Sequence, residues 1–345
     1  MKDLPVLGLM LGDCTGIGPE QCARILADGR MAGHARLLVV GDARVLEQGA
    51  RDANVKLQVR AWTKPEAVDW SRTDAVPMLD LANIDPAKIA RGKISAESGR
   101  LTGETLAFMV QLALAQRIDG ITFAPLNKAA LHAGGWKFND EHQMFAHLTK
   151  HQGYFGEMNV LDDKWMSRAT SHVSLRTAIE QITQRRIEEA LALAHATMRG
   201  AGFERPRIAV AALNPHGGEN GLFGREEIEI IAPAVAAAAA RGIDCRGPFP
   251  ADTVFIKGFG DEFDGVLSMY HDQGQIATKL KGFNRGVTVT GGLATVFTTP
   301  AHGTAFDIVG KGVATTGALE NAIRLGSRLA ASRVRNRGQT TFSKA

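Results

Sequence analysis

Short apolar runs alternate along this chain with longer stretches in which apolar positions recur every three or four residues. Residues 6–11, 35–40, 57–61, 120–124, 207–213, 264–269 and 286–290 read as strands, and 158–162 with 168–172 as a strand pair. Residues 18–26, 96–116, 175–198, 225–241 and 317–332 have helical spacing, and 128–133 starts a further helix. Strand and helix alternate almost throughout, which predicts an α/β fold with a mostly parallel sheet. The alanine run 236–240 fits a packed helix face better than a linker. Internal repeats and Pro/Ser-rich linkers are absent from the sequence, so domain boundaries are weakly marked.

The chain has 345 residues, more than one hydrophobic core usually serves, so two α/β domains or lobes are expected. With 45% hydrophobic and 22% charged residues it is ordinary for a globular protein, and its net charge of +4 gives no reason to expect a nucleic-acid partner. The basic tail (Arg328, Arg333, Arg335, Arg337) reads as a solvated C-terminus. Three cysteines, Cys14, Cys22 and Cys245, without CxxC spacing argue against a disulfide framework or a zinc ribbon. The apolar N-terminal run is broken by Pro5, Gly8 and Gly12 and reads as a strand rather than a signal peptide. Neither a signal nor a membrane span is expected, and the cytoplasm is the default location.

Histidines follow three of the expected strands. One run ends on His172, a second leads into Asn214-Pro215-His216-Gly217-Gly218-Glu219, and a third into Tyr270-His271-Asp272-Gln273-Gly274. Ligands of open α/β sheets bind beyond the carboxyl ends of strands. Neutral imidazoles there suit a catalytic zinc, cobalt or nickel ion with open coordination positions. The alternative is that each histidine caps a backbone group in its own loop.

These segments also carry a resemblance. The stretches Gly12-Asp13-Cys14-Thr15-Gly16-Ile17-Gly18-Pro19-Glu20, Asn214 to Glu219, Gly247-Pro248-Phe249-Pro250-Ala251-Asp252-Thr253, Met269 to Gly274 and His302-Gly303-Thr304-Ala305-Phe306-Asp307 run in an order and spacing that resembles the 4-hydroxythreonine-4-phosphate dehydrogenases of pyridoxal phosphate synthesis and their paralogues. The likeness spans residues 12 to about 314. It implies a two-lobed α/β/α fold similar to isocitrate and isopropylmalate dehydrogenases, with the active-site cleft between the lobes. The first lobe would hold residues 1–130 and 285–345, and the second, with the dimer interface, residues 131–284. It also implies a homodimer that shares a divalent metal (zinc, or cobalt, magnesium or nickel) held by His172, His216 and His271.

The same resemblance assigns substrate contacts to His142, Gln143, Lys279, Thr288 and Phe297, and NAD or NADP to a loop with His302, Gly303, Thr304, Asp307 and Lys311. Lys279, Asp272 and Lys128 are the expected catalytic side chains, with Asp272 and Asp252 placed to orient ligating histidines. Three positions depart from the family pattern: Gln143 stands for a threonine, Thr288 for an asparagine and Phe297 for an arginine. Phenylalanine offers none of the paired, charge-assisted hydrogen bonds with which a guanidinium holds an anion. The expected reaction is metal-dependent NAD(P) oxidation of a hydroxyl in 4-hydroxythreonine-4-phosphate or a related 4-phospho hydroxy acid, followed by decarboxylation. A carboxylated cis-dihydrodiol of the terephthalate type is the alternative substrate. A phosphotransacetylase-like acyltransferase and a non-catalytic binding protein are the alternatives of other classes.

Overall fold

The computed structural model describes residues 4–72, 74–282 and 284–342, with side chains up to residue 337. In chain order the first half carries β1 (Val6–Met10), α1 (Gly18–Asp28), β2 (Arg36–Gly41), α2 (Ala43–Ala53), β3 (Val59–Trp62), β4 (Val76–Asp80), α3 (Ala96–Leu114), β5 (Gly120–Phe123), α4 (Lys128–Ala133) and α5 (Glu141–Leu148). The hairpin β6 (Gly156–Leu161) and β7 (Lys164–Arg168) follows, then α6 (Leu175–Gln181), α7 (Gln184–Gly200), β8 (Ile208–Ala211) and α8 (Ala232–Ala240). The chain ends with β9 (Cys245–Phe249), α9 (Ala251–Phe259), β10 (Gly265–Ser268), α10 (His271–Gly282), β11 (Val287–Gly291), β12 (Val296–Pro300) and α11 (Gly317–Phe342).

The contacts divide the chain into two compact units, Met1–His151 with Leu293–Ala345, and Gln152–Gly292. The boundaries lie at 151/152 and 292/293, both further toward the C-terminus than the sequence-based 130/131 and 284/285. The cause at the first boundary is α5: its Phe145 ring stacks on Phe297 of β12 with centroids 4.0 Å apart, which ties that helix into the first unit.

In the first unit the strands run β3-β4-β2-β1-β5-β12 and the pairs between them are parallel. Leu7, Leu9, Val39 and Leu46 share its core with Leu319 and Ile323 of α11. Side-chain caps start the helices: Asp42 for α2, Ser95 for α3, Asn127 for α4 and Asp140 for α5, each accepting a backbone N–H of the first turn. Arg333 donates to the carbonyls of Leu293 and Ala294 and so packs as part of α11, whereas Arg328 and Arg335 of the same basic tail are exposed.

In the second unit the order is β11-β6-β7-β10-β8-β9. β7, β10, β8 and β9 are parallel, and β6 runs antiparallel to both β7 and β11. Met166, Ala209, Ala211, Val254, Phe263 and Val266 form a core here. The expected strand at 168–172 lies earlier, at β7. Asp162 and Asp163, both at positive φ (50° and 61°), close a tight hairpin that pairs Leu161 with Lys164 and ends the strand at Arg168. Two long helices are likewise interrupted. Residues 175–198 break at Ile182, after which Thr183 caps α7, and residues 225–241 open with a π-helical turn, Glu227–Ile231. Among the described residues, no helix is long and apolar enough to cross a membrane.

Candidate active site

The carboxyl ends of β7 and β10 are neighbours, because Arg168 pairs with Ser268 in parallel register. The chain beyond each end therefore emerges side by side, and this brings His172 and His271 together with ring centroids 5.3 Å apart. Both line a cavity of about 200 Å³ whose wall also includes Thr170, Ser171, Tyr270 and Asp272. His172 sits at positive φ (52°), in a turn four residues past β7, while His271 opens α10 directly.

His271 Nδ1 lies 2.7 Å from Asp272 Oδ1. A carboxylate can only accept, so Nδ1 carries the proton and Nε2 keeps its lone pair. Burial holds the His271 pKa below its usual value; Asp272 works against this, and the nearby Arg168 and His172 add to it. The ring is thus neutral near pH 7, the form that ligates a metal.

His216 stands apart from this pair. It follows β8 in a segment where His216, Gly217, Gly218, Glu219 and Asn220 all take left-handed φ, between 44° and 79°. Such a run costs roughly 1–2 kcal/mol per non-glycine residue and needs external support. Glu227 supplies it, accepting from the Leu213 and Asn214 backbone N–H groups at 2.8 Å each and from the Asn214 side chain at 2.9 Å. A Cβ at Gly218 would lie 2.6 Å from that carboxylate, so the position requires glycine. Among the described residues, no group of three potential ligands lies close enough within one chain to hold a metal ion. The expected three-histidine set is therefore present as a pair, with the third imidazole exposed elsewhere on the unit.

Beneath the pair lies a polar network that sequence reasoning missed. Arg168, 7% exposed, meets Glu157 at 2.7 Å and donates to Asn159 Oδ1 at 2.8 Å. Asn159 in turn donates to Thr288 Oγ1 at 3.0 Å and receives the Gln275 amide at 2.7 Å. Glu157 Oε2 lies 3.8 Å from His172 Nε2. The available signal was alternation: Glu157 and Asn159 on β6, and Thr288 and Thr290 on β11, repeat polar residues at period two along otherwise apolar strands. Lys279 is exposed on α10, and Asp252 is exposed in the first turn of α9.

In the first unit two glycine-rich loops meet. Ile17 N–H donates to Thr304 O, the Gln21 amide to Thr315 O, and Glu20 Oε1 accepts from Ala314 N–H. A Cβ on Gly16 would come within 2.8 Å of Thr304 Cβ, whereas one on Gly303 would meet nothing within 4 Å. Backbone packing is thus tight on one side of the loop pair and open on the other. The His302 ring is 3.4 Å from the Gln21 amide, and Asp307 and Lys311 are exposed. Cys14, in the first of these loops, is no nucleophile at neutral pH, since burial pushes its thiol up to about 11.

The same unit places Lys128 and His142 on either side of Glu141, at 3.4 Å and 3.9 Å from its carboxylate. Gln143 is exposed in the first turn of α5. Phe297 is not exposed to any ligand: it is 1% accessible and stacked flat on Phe145, because β12 is buried throughout. His132 and His147 are exposed, as read from the sequence, whereas His151 is half-buried.

Side chains gathered beyond the carboxyl ends of parallel strands define the class: an α/β protein with a ligand site at its strand ends. The family model described as "Pyridoxal phosphate biosynthetic protein PdxA" matches residues 33–326, and the chain belongs to this family. It is 42% identical over 331 residues to the D-threonate 4-phosphate dehydrogenase of Cupriavidus necator, covering 96% of this chain and 98% of that one. The crystal structure of 4-hydroxythreonine-4-phosphate dehydrogenase from Klebsiella pneumoniae is similar with a TM-score of 0.81 at 37% identity, over 94% of this chain and 99% of that one. A terephthalate 1,2-cis-dihydrodiol dehydrogenase from Burkholderia xenovorans is similar at 27% identity and a TM-score of 0.66, over 94% and 98% of the two chains. Family membership selects the dehydrogenase over the acyltransferase and the non-catalytic binder.

Proposed function

We propose that this chain oxidises a hydroxyl group of a small 4-phospho hydroxy acid with NAD or NADP and a divalent cation, and that the keto acid formed loses carbon dioxide. The observation that carries this reading is the His172–His271 pair, with Asp272 fixing the tautomer of one ring. Two imidazoles with a carboxylate behind one of them are a donor set that suits zinc, cobalt or nickel. When bound, the cation supplies a Lewis acid and the nicotinamide a hydride acceptor.

The chain's own residues do the rest. Asp272 orients His271, and Glu157 faces His172. Lys128, His142, Lys279 and Thr288 are the polar side chains assigned to the substrate. The loops around Gly16 and Thr304 receive the nucleotide, with Asp307 available to ribose or adenine hydrogen-bond donors and Lys311 to a phosphate.

The proposal includes a homodimer, in which His216 would complete the ligand set across an interface between two copies. Among the described residues, most large exposed apolar side chains are on the second unit, including Leu222, Phe223, Ile276 and Leu280, close in sequence to His216 or His271. Apolar surface of this kind is what a partner covers. Cytoplasmic location is part of the same proposal.

The test is a panel of D-threonate 4-phosphate, 4-hydroxythreonine-4-phosphate and a carboxylated cis-dihydrodiol. Reduced nicotinamide absorbance and carbon dioxide release are followed with zinc, cobalt or magnesium and after chelation. Turnover of a phospho acid that chelation abolishes supports the reading; full activity without metal overturns the metal's part. One observation favours the dihydrodiol instead: Phe297 and Phe145 form an apolar stack where an anion-binding arginine was expected. Turnover of the dihydrodiol alone would establish that second reading.

A further inference from the structure

We infer that Arg168 is the residue that holds the anionic end of the substrate in this chain. The inference rests on the reading of the protein as a dehydrogenase of small phospho hydroxy acids and deepens it. Four observations lead to it. Arg168 occupies the last position of β7, at the carboxyl end of the strand that leads to His172 and beside β10, which leads to His271. Its side chain is nearly inaccessible, yet its Nε–H has no acceptor. Its ion-pair partner Glu157 lies 3.8 Å from His172 Nε2, so one carboxylate joins the guanidinium to the imidazole pair. Asn159 links it to Thr288, the substrate position inherited from the resemblance.

The energetics of the group favour a functional part. A buried ion pair adds little net stability, because desolvation of both charges offsets their attraction, and an apolar pair would fill the same space at lower cost. Here the compensation is incomplete as well. Nη2 serves both Glu157 and Asn159, while Nε–H is left without a partner in a dry environment. An unmet donor on a cation at a strand's carboxyl end is a place where an anionic acceptor can bind. A carboxylate or phosphate oxygen is the acceptor that a guanidinium fork fits best.

Position 297 makes the need concrete. The arginine expected there is a phenylalanine sealed in the first unit's core, so no cation can be offered from that place. Arg168 provides the missing positive fork from a different strand. Glu157 then has two tasks: it neutralises Arg168 when the site is empty and holds the guanidinium in line with His172.

The experiment compares wild type with Arg168→Lys and with the double variant Glu157→Gln/Arg168→Met, which leaves no stranded carboxylate. Calorimetric titration with D-threonate 4-phosphate, inorganic phosphate and malonate reads binding without turnover. The double variant should bind the first compound and at least one of the two simple anions at least about tenfold more weakly, while its affinity for NAD stays at the wild-type level. Loss with phosphate assigns the fork to the phosphate end, loss with malonate to the carboxylate end. In kinetics the KM for the phospho acid should rise with a smaller change in kcat, and Arg168→Lys should recover part of it. Equal binding of all three probes by wild type and the double variant overturns the inference. Normal anion binding without turnover of any hydroxy acid would instead count against the proposed reaction and leave the role of Arg168 standing.

Discussion

His271 donates its Nδ1 proton to Asp272 at 2.7 Å, so the first two residues of α10 set which ring nitrogen faces the cavity shared with His172. Replacing Asp272 with alanine frees the ring to rotate and to exchange tautomers. Metal affinity should fall about tenfold or more, read by competition with a chromogenic chelator. Secondary structure should be unaltered, because Asp272 is largely exposed. Unchanged metal affinity would remove Asp272 from the site.

The Phe145–Phe297 stack should behave as core and not as a ligand contact. Phe145→Ala should cost about 3–5 kcal/mol in urea unfolding. Phe297→Arg should cost at least as much, since a guanidinium would be buried there without a partner. A stable Phe297→Arg protein with improved phospho-acid affinity would contradict the packing described above.

Gly16 and Thr304 define how closely the two glycine-rich loops approach. Gly16→Ala forces the loops apart, because the new Cβ would sit 2.8 Å from Thr304 Cβ. Affinity for NAD or NADP should drop on the order of tenfold, equivalent to about 1.4 kcal/mol, while metal binding on the other unit is unaffected. Fluorescence titration of the reduced nucleotide measures the first and metal analysis the second.

Acid stability should show the Asp264–Arg207 pair, which joins the start of β8 to that of β10 by hydrogen bonds of 2.8 and 3.0 Å. Burial raises the Asp264 pKa, but hydrogen bonds from the Arg207 side chain and backbone outweigh it and hold the carboxyl below its ordinary 3.8. The folded value lies under the unfolded one, so the stabilisation is complete above about pH 3.8 and is lost as pH falls through the folded value. Asp264→Asn should therefore lower stability by about 1–2 kcal/mol at pH 7, and its deficit against wild type should shrink below pH 3.8. Denaturation midpoints at pH 7, 5 and 3 test this; a deficit that is constant with pH would show that the charge is not involved.

Much of the architecture was legible because its causes are local. Apolar runs of strand length and Ser, Thr, Asp or Asn before helices act within a few residues, so they can be read without the fold. The misreadings are also local in origin. The Asp162-Asp163 turn was passed over because neither residue is glycine, and the strand was placed too late, with His172 at its end. A mid-helix break before Thr183 was hidden by apolar residues that continue the pattern on both sides.

Residue chemistry and spacing were enough to indicate the α/β class and the histidines that follow strands, and the resemblance of the motifs indicated the family. They could not say which of those ends are adjacent, because strand order depends on long-range pairing and packing that leave no short-range trace. The placing of β7 beside β10 joined His172 to His271 and left His216 apart. The same folding buried Phe297 and set Arg168 under the imidazole pair. A charge gains or loses its meaning from what surrounds it, and those surroundings come from remote parts of the chain.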